Sequence, residues 1–304
     1  ALLKLTISYK PDLIYCHWFL PQAINTYLVS KIVGTKYIFT SHGSDVLLIN
    51  NLGKFGSYIV RVVTNSAHKY SAVSSLVLNE INKNLKTDKN NYKVIPMGID
   101  ERFFKLEKHQ KYVHEKKKFL YIGRLIDYKG IDILLEALNL YKKNHKDFEL
   151  NILGVGTESE KLKKLSEELA LKDNVNFLGF KSYDQKIKYI KNCDLFFVPS
   201  KIKKGQIEGG PLTLIEGMSL GKVCIVSDSI GFVEHCNEKN SIIFESGNTE
   251  SLYNAILRGV NLTEEETKSL SSGAINLSKT FSFSEIAKNH NNFFFVNKIG
   301  KRNE

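Results

Sequence analysis

At 304 residues, with 42% apolar and 25% charged side chains, the chain has the make-up of an ordinary globular protein and is long enough for two domains. Its net charge of +11 is uneven, because residues 1–105 hold 13 Lys/Arg against 6 Asp/Glu. Such a bias suits a face that meets anionic lipid or an anionic substrate, and no basic-aromatic motif accompanies it, which argues against nucleic acid. No apolar run approaches the ~18 residues of a membrane-spanning helix. The four cysteines (Cys16, Cys193, Cys224, Cys236) show neither C-x-x-C nor metal spacing, and read as reduced core thiols of a cytosolic protein. The chain opens Ala1-Leu2-Leu3-Lys4 inside a helical pattern, as a fragment whose N-terminus is missing would.

Along the chain, short β-rich runs alternate with helical patterns, the signature of parallel α/β sheets. Strands are expected at 13–17, 37–41, 71–74 and 93–96, with helices between them such as 21–33, closed by Gly34. His17 ends the first strand and either lines the acceptor side or packs beneath Trp18. The second strand runs into Thr40-Ser41-His42-Gly43-Ser44-Asp45, where His42 can donate a hydrogen bond into an interdomain cleft; the plainer reading is a histidine that orders its loop. Ser74 caps the helix after the third strand, and neither it nor the segment 94–100 is given a catalytic role. A charged stretch at 107–118 reads as a linker.

Six further strands are expected at 119–122, 149–153, 175–178, 195–199, 223–227 and 242–244, each followed by a helix or helical turn, which makes a complete doubly wound domain. Four strands are too few for a first domain of the same type, so N-terminal strands are expected to be absent. The resulting division is 1–106 and 107–282. The tail from 283 carries Phe293-Phe294-Phe295 and must bury an aromatic face, which it can do by packing back on the first domain.

Ligands of doubly wound sheets bind at the carboxyl ends of strands. There the strand 119–122 gives way to Gly123-Arg124, and Lys129-Gly130 opens the next helix. The glycine admits close approach, Arg124 can grip phosphate with two donors, and Lys129 adds a point charge for a diphosphate leaving group. Gly154-Val155-Gly156 tempts a dinucleotide reading, but Ser159 stands at the third glycine position and strand 175–178 has no acidic residue beyond it. A tight turn is the better reading, which argues against a dehydrogenase.

Most informative is Glu208-Gly-Gly-Pro-Leu-Thr-Leu-Ile-Glu216. Proline favours the first position of a helix, so Pro211 is expected to begin one, with Glu208 on the loop before it and Glu216 about 7.5 Å along its axis. Gly209 and Gly210 leave the backbone open, and the amides of Leu212, Thr213 and Leu214 offer an anion site. Carboxylates for hydroxyls and amides for phosphate make a sugar-nucleotide site. The bland alternative is a solvated loop glutamate and a surface helix glutamate.

Taken in order, Pro11 to His17, His42-Gly43-Ser44-Asp45, Val94 to Asp100, Gly123-Arg124 with Lys129-Gly130, Gly154-x-Gly156, Pro199-Ser200 and Glu208 with Glu216 resemble the retaining glycosyltransferases of family 4 over nearly the whole chain. The resemblance implies the GT-B fold, two Rossmann-like domains facing across a cleft. It implies a nucleoside-diphosphate sugar as donor, an acceptor hydroxyl on a polysaccharide or a lipid-linked sugar, no cofactor and no catalytic metal. Glu208 would hold donor-sugar hydroxyls and Glu216 the ribose. Arg124 and Lys129 would take the diphosphate, His42 would contact the sugar, and backbone at Gly123, Gly209, Gly210, Leu212 and Thr213 would line sugar and phosphate. The reaction would be a front-face displacement in which the leaving phosphate helps to deprotonate the acceptor.

Two departures stand out. Gly217 replaces the more usual Ala, a small cost to the helix. The family's opening strand and glycine-rich loop, where much of acceptor recognition lies, are not in the sequence. The loop 201–207 and the His-Gly-Ser-Asp motif look like members that build bacterial surface polysaccharides at the inner face of the plasma membrane. Within the fold the competitors are a nucleotide-sugar epimerase or a phosphorylase, though nothing marks a cofactor lysine. Outside it stands an inactive sugar-nucleotide-binding subunit, against which the intact set of charged residues argues.

Overall fold

The computed structural model describes residues 1–83, 91–106, 116–203, 206 and 208–295. The linker expected at 107–118, as far as residue 115, therefore lies outside the described residues, as do 204, 205 and 207 and the tail beyond 295. The chain forms two units: Ala1–Met97 with Lys203–Gly210 and Ser284–Glu304, and Gly98–Ile202 with Pro211–Phe283.

In the first unit, α1 (Leu2–Tyr9), β1 (Leu13–His17), α2 (Ile24–Val33), β2 (Lys36–Ser41), α3 (Ser44–Asn50), α4 (Gly53–Ser66), β3 (Lys69–Ala72), α5 (Ser75–Asn82) and β4 (Tyr92–Val94) follow one another. The four strands lie in the order β1-β2-β3-β4, all parallel, with Tyr15 opposite Ile38 and Phe39 opposite Tyr70. A strand buried on both faces reads as a continuous apolar run, and β2 is buried at every position after Lys36. Its Phe39 stacks on Tyr70 at 5.3 Å between ring centres and meets Phe19 edge-on. The helix ends follow their sequence signals: Gly34 closes α2 at φ 80°, and the Ser74 hydroxyl accepts the Val77 amide at the start of α5.

The second unit holds α6 (Arg102–Lys105), β5 (Lys117–Ile122), α7 (Ile131–Lys142), β6 (Phe148–Leu153), α8 (Ser159–Glu168), β7 (Val175–Gly179), α9 (Tyr183–Asn192), β8 (Leu195–Val198), α10 (Leu212–Ser219), β9 (Val223–Ser227), β10 (Ile242–Phe244), α11 (Thr249–Val260) and α12 (Glu264–Lys279). Its parallel sheet has the order β10-β9-β8-β5-β6-β7, with β5 between β6 and β8. Counted within the unit, this is 3-2-1-4-5-6, the order that places ligands outside the carboxyl ends of the two central strands. Phe119, Leu134, Leu138, Leu150, Phe197 and Ile225 lie at the heart of its core. Ser182 with Gln185 and Thr263 with Glu266 form capping boxes that start α9 and α12.

All ten expected strands are present, within two residues of their expected ends. The units divide at Met97 and not near 106, for a physical reason. Ile99 donates to the Phe281 carbonyl at 2.8 Å and accepts from the Phe283 amide at 3.0 Å, and Phe103 packs edge-on against Tyr183. Residues 98–106 thus belong to the second unit. The last helix, α13 (Phe283–Phe294), carries its aromatic face into the first unit from Ser284 on. Phe294 and His290 lie against Tyr15, and Lys69 donates to the Phe293 carbonyl. The cysteines are free thiols, and burial pushes that of Cys193 up to about 12.

Gly130 ties the sheet to α7: its φ is +69°, and a Cβ there would stand 1.9 Å from the Pro199 carbonyl oxygen. Gly34 has a similar φ of +80° with nothing within 4 Å. Gly34→Ala should therefore cost about 1 kcal/mol and Gly130→Ala roughly 2–4 kcal/mol in urea melts. Equal losses would mean that the Pro199 contact contributes nothing.

Candidate functional site

In the second unit the chain leaves β5 at Gly123-Arg124 and β6 at Gly154-Val155, and the two loops rest backbone to backbone. A Cβ on Gly154 would sit 1.8 Å from the Gly123 oxygen, and one on Gly156 2.1 Å from the Leu125 oxygen. This contact is what the Gly-x-Gly spacing encodes, as the tight-turn reading expects. Beside it opens a cavity of 420 Å³ walled by Ile122, Gly123, Arg124, Leu153, Gly154, Val155, Phe180, Lys181, Tyr183 and Lys186. That volume suits a small molecule. Arg124 lines it and reaches back to the Tyr128 hydroxyl at 3.2 Å, while the Tyr121 hydroxyl donates to the Arg124 carbonyl at 3.0 Å. Lys129 closes the short turn before α7 with its ammonium 5.5 Å from the Tyr128 ring, and is not among the cavity's lining residues.

Glu216 is the fifth residue of α10 and is buried. Burial raises its carboxyl above the ordinary range, and the Lys186 ammonium, 2.7 Å from Oε1, opposes the rise. Its other oxygen, Oε2, is buried with no partner. Two details of the helix start differ from expectation. Pro211 is the N-cap and not the first helical residue, because its ψ of 99° is extended. The Leu214 amide is taken by the Pro211 carbonyl at 3.0 Å, so only the Leu212 and Thr213 amides remain for an anion. Gly217 faces the Phe196 ring, which a Cβ would meet at 3.2 Å, so the small residue there accommodates an aromatic core residue.

In the first unit Gly209 lies against the turn after β2. A Cβ on it would stand 2.7 Å from the His42 carbonyl, and Gly43 adopts a φ of +124° beside it. Gly210 has open space around its α-carbon, and Glu208 is half-buried on the same segment. His42 stacks on Trp18 at 5.0 Å and shares a 3.0 Å hydrogen bond with His17. His17 thus touches the His42 ring directly, which the sequence left open. The turn is held by the buried carboxylate of Asp45, which accepts from the amides of Phe19 and Gly43 and from the Ser41 hydroxyl.

Arg124, Gly123 and, through Lys186, Glu216 thus converge on the cavity of the second unit; His42, Gly209 and Glu208 lie in the first. Sequence reasoning missed Lys186, Tyr183 and Asp45. It also missed Lys201, whose ammonium lies 3.0 Å from Asp127 and 2.5 Å from Asp132 and so pins the turn that carries Lys129. Asp45 had a signal: an acid two residues beyond Gly43 can reach back to that glycine's amide, as it does here at 2.8 Å. Lys186 had none, because a lysine on an amphipathic helix looks solvated until its partner thirty residues away is known. Among the described residues no three of His, Cys, Asp and Glu come together as a metal site.

Fold and site define the class: two parallel-sheet α/β units, the second doubly wound with a cavity at the carboxyl ends of β5 and β6. Residues 101–276 match the family described as Glycosyl transferases group 1, and residues 1–103 match Glycosyltransferase Family 4. The chain belongs to this glycosyltransferase family. It is 30% identical over 276 residues to an uncharacterized glycosyltransferase of Methanocaldococcus jannaschii, covering 90% of this chain and 72% of that protein. It is 32% identical over 212 residues to an N,N'-diacetylbacillosaminyl-diphospho-undecaprenol alpha-1,3-N-acetylgalactosaminyltransferase of Campylobacter jejuni, covering 62% and 53% of the two. The crystal structure of HepE from Anabaena in complex with UDP and glucose superposes with a TM-score of 0.78 at 19% identity, over 95% of this chain and 78% of that one. The fold is therefore GT-B.

Burial holds His17, His42 and His290 below the ordinary imidazole value of 6.5. The unfolded chain then binds more protons than the native one below that pH. The stability these residues contribute is present above pH 6.5 and is lost as pH falls through their native values. Melting temperature should decline below pH 6.5 more steeply in the wild type than in His17→Asn/His42→Asn, and parallel curves would refute the assignment.

Proposed function

We propose that this glycosyltransferase moves a hexosyl group from a nucleoside-diphosphate sugar to an acceptor hydroxyl with retention at the anomeric carbon. The observation that carries the reading is the cavity at the carboxyl ends of β5 and β6, with Arg124 and Lys186 on its wall and Glu216 paired to Lys186. In this reading Arg124 and Lys129 neutralise the diphosphate, helped by the Leu212 and Thr213 amides. Glu216 accepts ribose hydroxyls, Glu208 accepts hydroxyls of the donor sugar, and His42 contacts that sugar. Backbone at Gly123, Gly209 and Gly210 admits the ligand closely. The bond between the anomeric carbon and the β-phosphate oxygen breaks, and the acceptor oxygen bonds to the same face of that carbon. The acceptor proton passes to the departing phosphate. No resident metal or cofactor has a part in this scheme.

Under this proposal, UDP, GDP or ADP, or their sugars, should raise the melting temperature at millimolar concentration. Glu216→Ala and Arg124→Ala should each weaken binding about 10- to 100-fold, the worth of a charge-assisted hydrogen bond. If none of these nucleotides stabilises the protein, the enzyme reading fails and the inactive-subunit reading fails with it.

For the acceptor we propose a lipid-linked or polysaccharide hydroxyl reached from an anionic membrane surface. The Campylobacter relative's name includes a diphospho-undecaprenol group, and the first unit has a surface suited to such a membrane. The α3–α4 hairpin exposes Leu48, Leu52, Phe55 and Tyr58, each more than half accessible. Gly56 lets the two helices close up, since a Cβ there would stand 1.8 Å from the Ile49 oxygen. Through residue 66 the cations are Lys4, Lys10, Lys31, Lys36, Lys54 and Arg61, against Asp12 and the buried Asp45. Apolar side chains among cations, without exposed acids on these helices, complement an anionic bilayer. No helix among the described residues is long and apolar enough to cross a membrane. The protein should float with phosphatidylglycerol vesicles and not with phosphatidylcholine ones, and Phe55→Ser/Tyr58→Ser should release it. Failure to float would remove the membrane reading and leave the donor site standing.

A further inference from the structure

Glu216 meets the cavity through residues that neither the motif nor the family match assigns. Lys186 rises from the first turn of α9, lines the cavity, and places its ammonium 2.7 Å from Glu216 Oε1. The same ammonium lies 5.6 Å from the ring centres of both Phe103 and Tyr183. Its position is therefore fixed from three sides and is not that of a solvated chain. Tyr183 also lines the cavity, and its hydroxyl is buried without a partner. Arg102 covers the Tyr183 ring at 4.6 Å and is anchored by Asp100 at 2.7 Å.

Among the described residues only three buried side-chain polar atoms lack a partner, and two of them are the Tyr183 hydroxyl and Glu216 Oε2. A polar atom buried and unsatisfied costs free energy, so one on a wall residue of the cavity and another on the partner of a wall residue point to a ligand that satisfies both. A carboxylate with both oxygens free could turn in several ways. With Oε1 held by Lys186, Oε2 is the oxygen that has no partner of its own. A phenol can donate or accept. The pair therefore matches two neighbouring hydroxyls, one donating to Oε2 and the other bonded to Tyr183.

Taking Glu216's contact with the ribose from the reading above, we propose that Tyr183 shares the 2′,3′-diol with it, and that Lys186 is a positioning residue that dictates which carboxylate oxygen faces the diol. This rests on the donor-site reading above, and it adds ribose selectivity and two residues to that reading. The affinity difference between a ribonucleotide and its 2′-deoxy form tests it, because a merely structural lysine would not alter that ratio.

Titration calorimetry on the protein with UDP, GDP and ADP, each against its 2′-deoxy form, should show the wild type preferring the ribonucleotide by about 10- to 100-fold. Lys186→Met should weaken ribonucleotide binding by roughly tenfold or more and 2′-deoxy binding much less, so that the ratio shrinks toward one. Lys186→Arg should restore the ratio. With Oε2 on the 2′-hydroxyl, Tyr183 meets the 3′-hydroxyl, so Tyr183→Phe, which keeps the ring beside Lys186, should leave that ratio unchanged and lower the preference over the 3′-deoxy form instead. If Lys186→Met does not fold, the wild-type ratio and Tyr183→Phe decide the matter. A wild type that binds both forms equally overturns the inference alone, as does a Lys186→Met that loses both forms equally. A wild type that binds no nucleotide overturns the donor-site reading, and this inference with it.

Discussion

The second unit depends on backbone touching backbone where its central strands end. Gly154 and Gly156 rest on the carbonyls of Gly123 and Leu125, and Gly130 rests on that of Pro199. Each of these contacts leaves no room for a side chain. Together they pull the loops after β5, β6 and β8 into one close-packed floor. Arg124 is displayed on that floor because Gly123 precedes it and the Tyr121 hydroxyl holds its carbonyl. The short turn carrying Lys129 is fixed from below by Lys201 on Asp127 and Asp132. Under the proposed donor reading a diphosphate would meet this rigid floor, where donors that are already in place cost no ordering when the charge arrives.

The first unit solves a similar problem with a charge. Asp45 is buried, and a buried carboxylate is tolerable only when its oxygens are well paired. Phe19, Ser41 and Gly43 supply those donors, and in doing so they fix the turn on which His42 stands. His17 and Trp18 then fix the ring itself. Of the His-Gly-Ser-Asp motif, one residue faces outward as candidate chemistry, and another is the scaffold that holds it. Reading the motif for catalysis finds the first and overlooks the second.

The same division explains how much the sequence could show. Every strand was legible, because an apolar run bounded by glycine or a polar turn is a local signal. The turn glycines were legible for the same reason, although Gly154-x-Gly156 looked like a cofactor motif until its contact with Gly123 and Leu125 was seen. The unit boundary was not legible. It depends on Ile99 pairing with Phe281 and Phe283, a contact about 180 residues away along the chain. Lys186 was hidden in the same way, its meaning residing wholly in Glu216. Pro211 misled by one residue, since proline's fixed φ serves an extended N-cap as well as a first helical turn.

Glu216 shows why such hidden partners matter to the chemistry. A buried carboxylate left alone would take up a proton and lose most of its power to accept a hydrogen bond. A carboxylate in full contact with water would keep its charge but select nothing, because water satisfies both oxygens. Lys186 holds the group between these limits, supporting the charge and consuming one oxygen. The cost is an ammonium and a carboxylate both removed from much of their water, an arrangement that contributes little to folding by itself. Stability therefore does not account for the pair, nor for a second buried polar atom left unsatisfied on Tyr183, whose ring centre lies 5.6 Å from the Lys186 ammonium. Both make sense if the missing partners arrive with the substrate, and the fold's strained economy at this point is then the binding energy held in reserve.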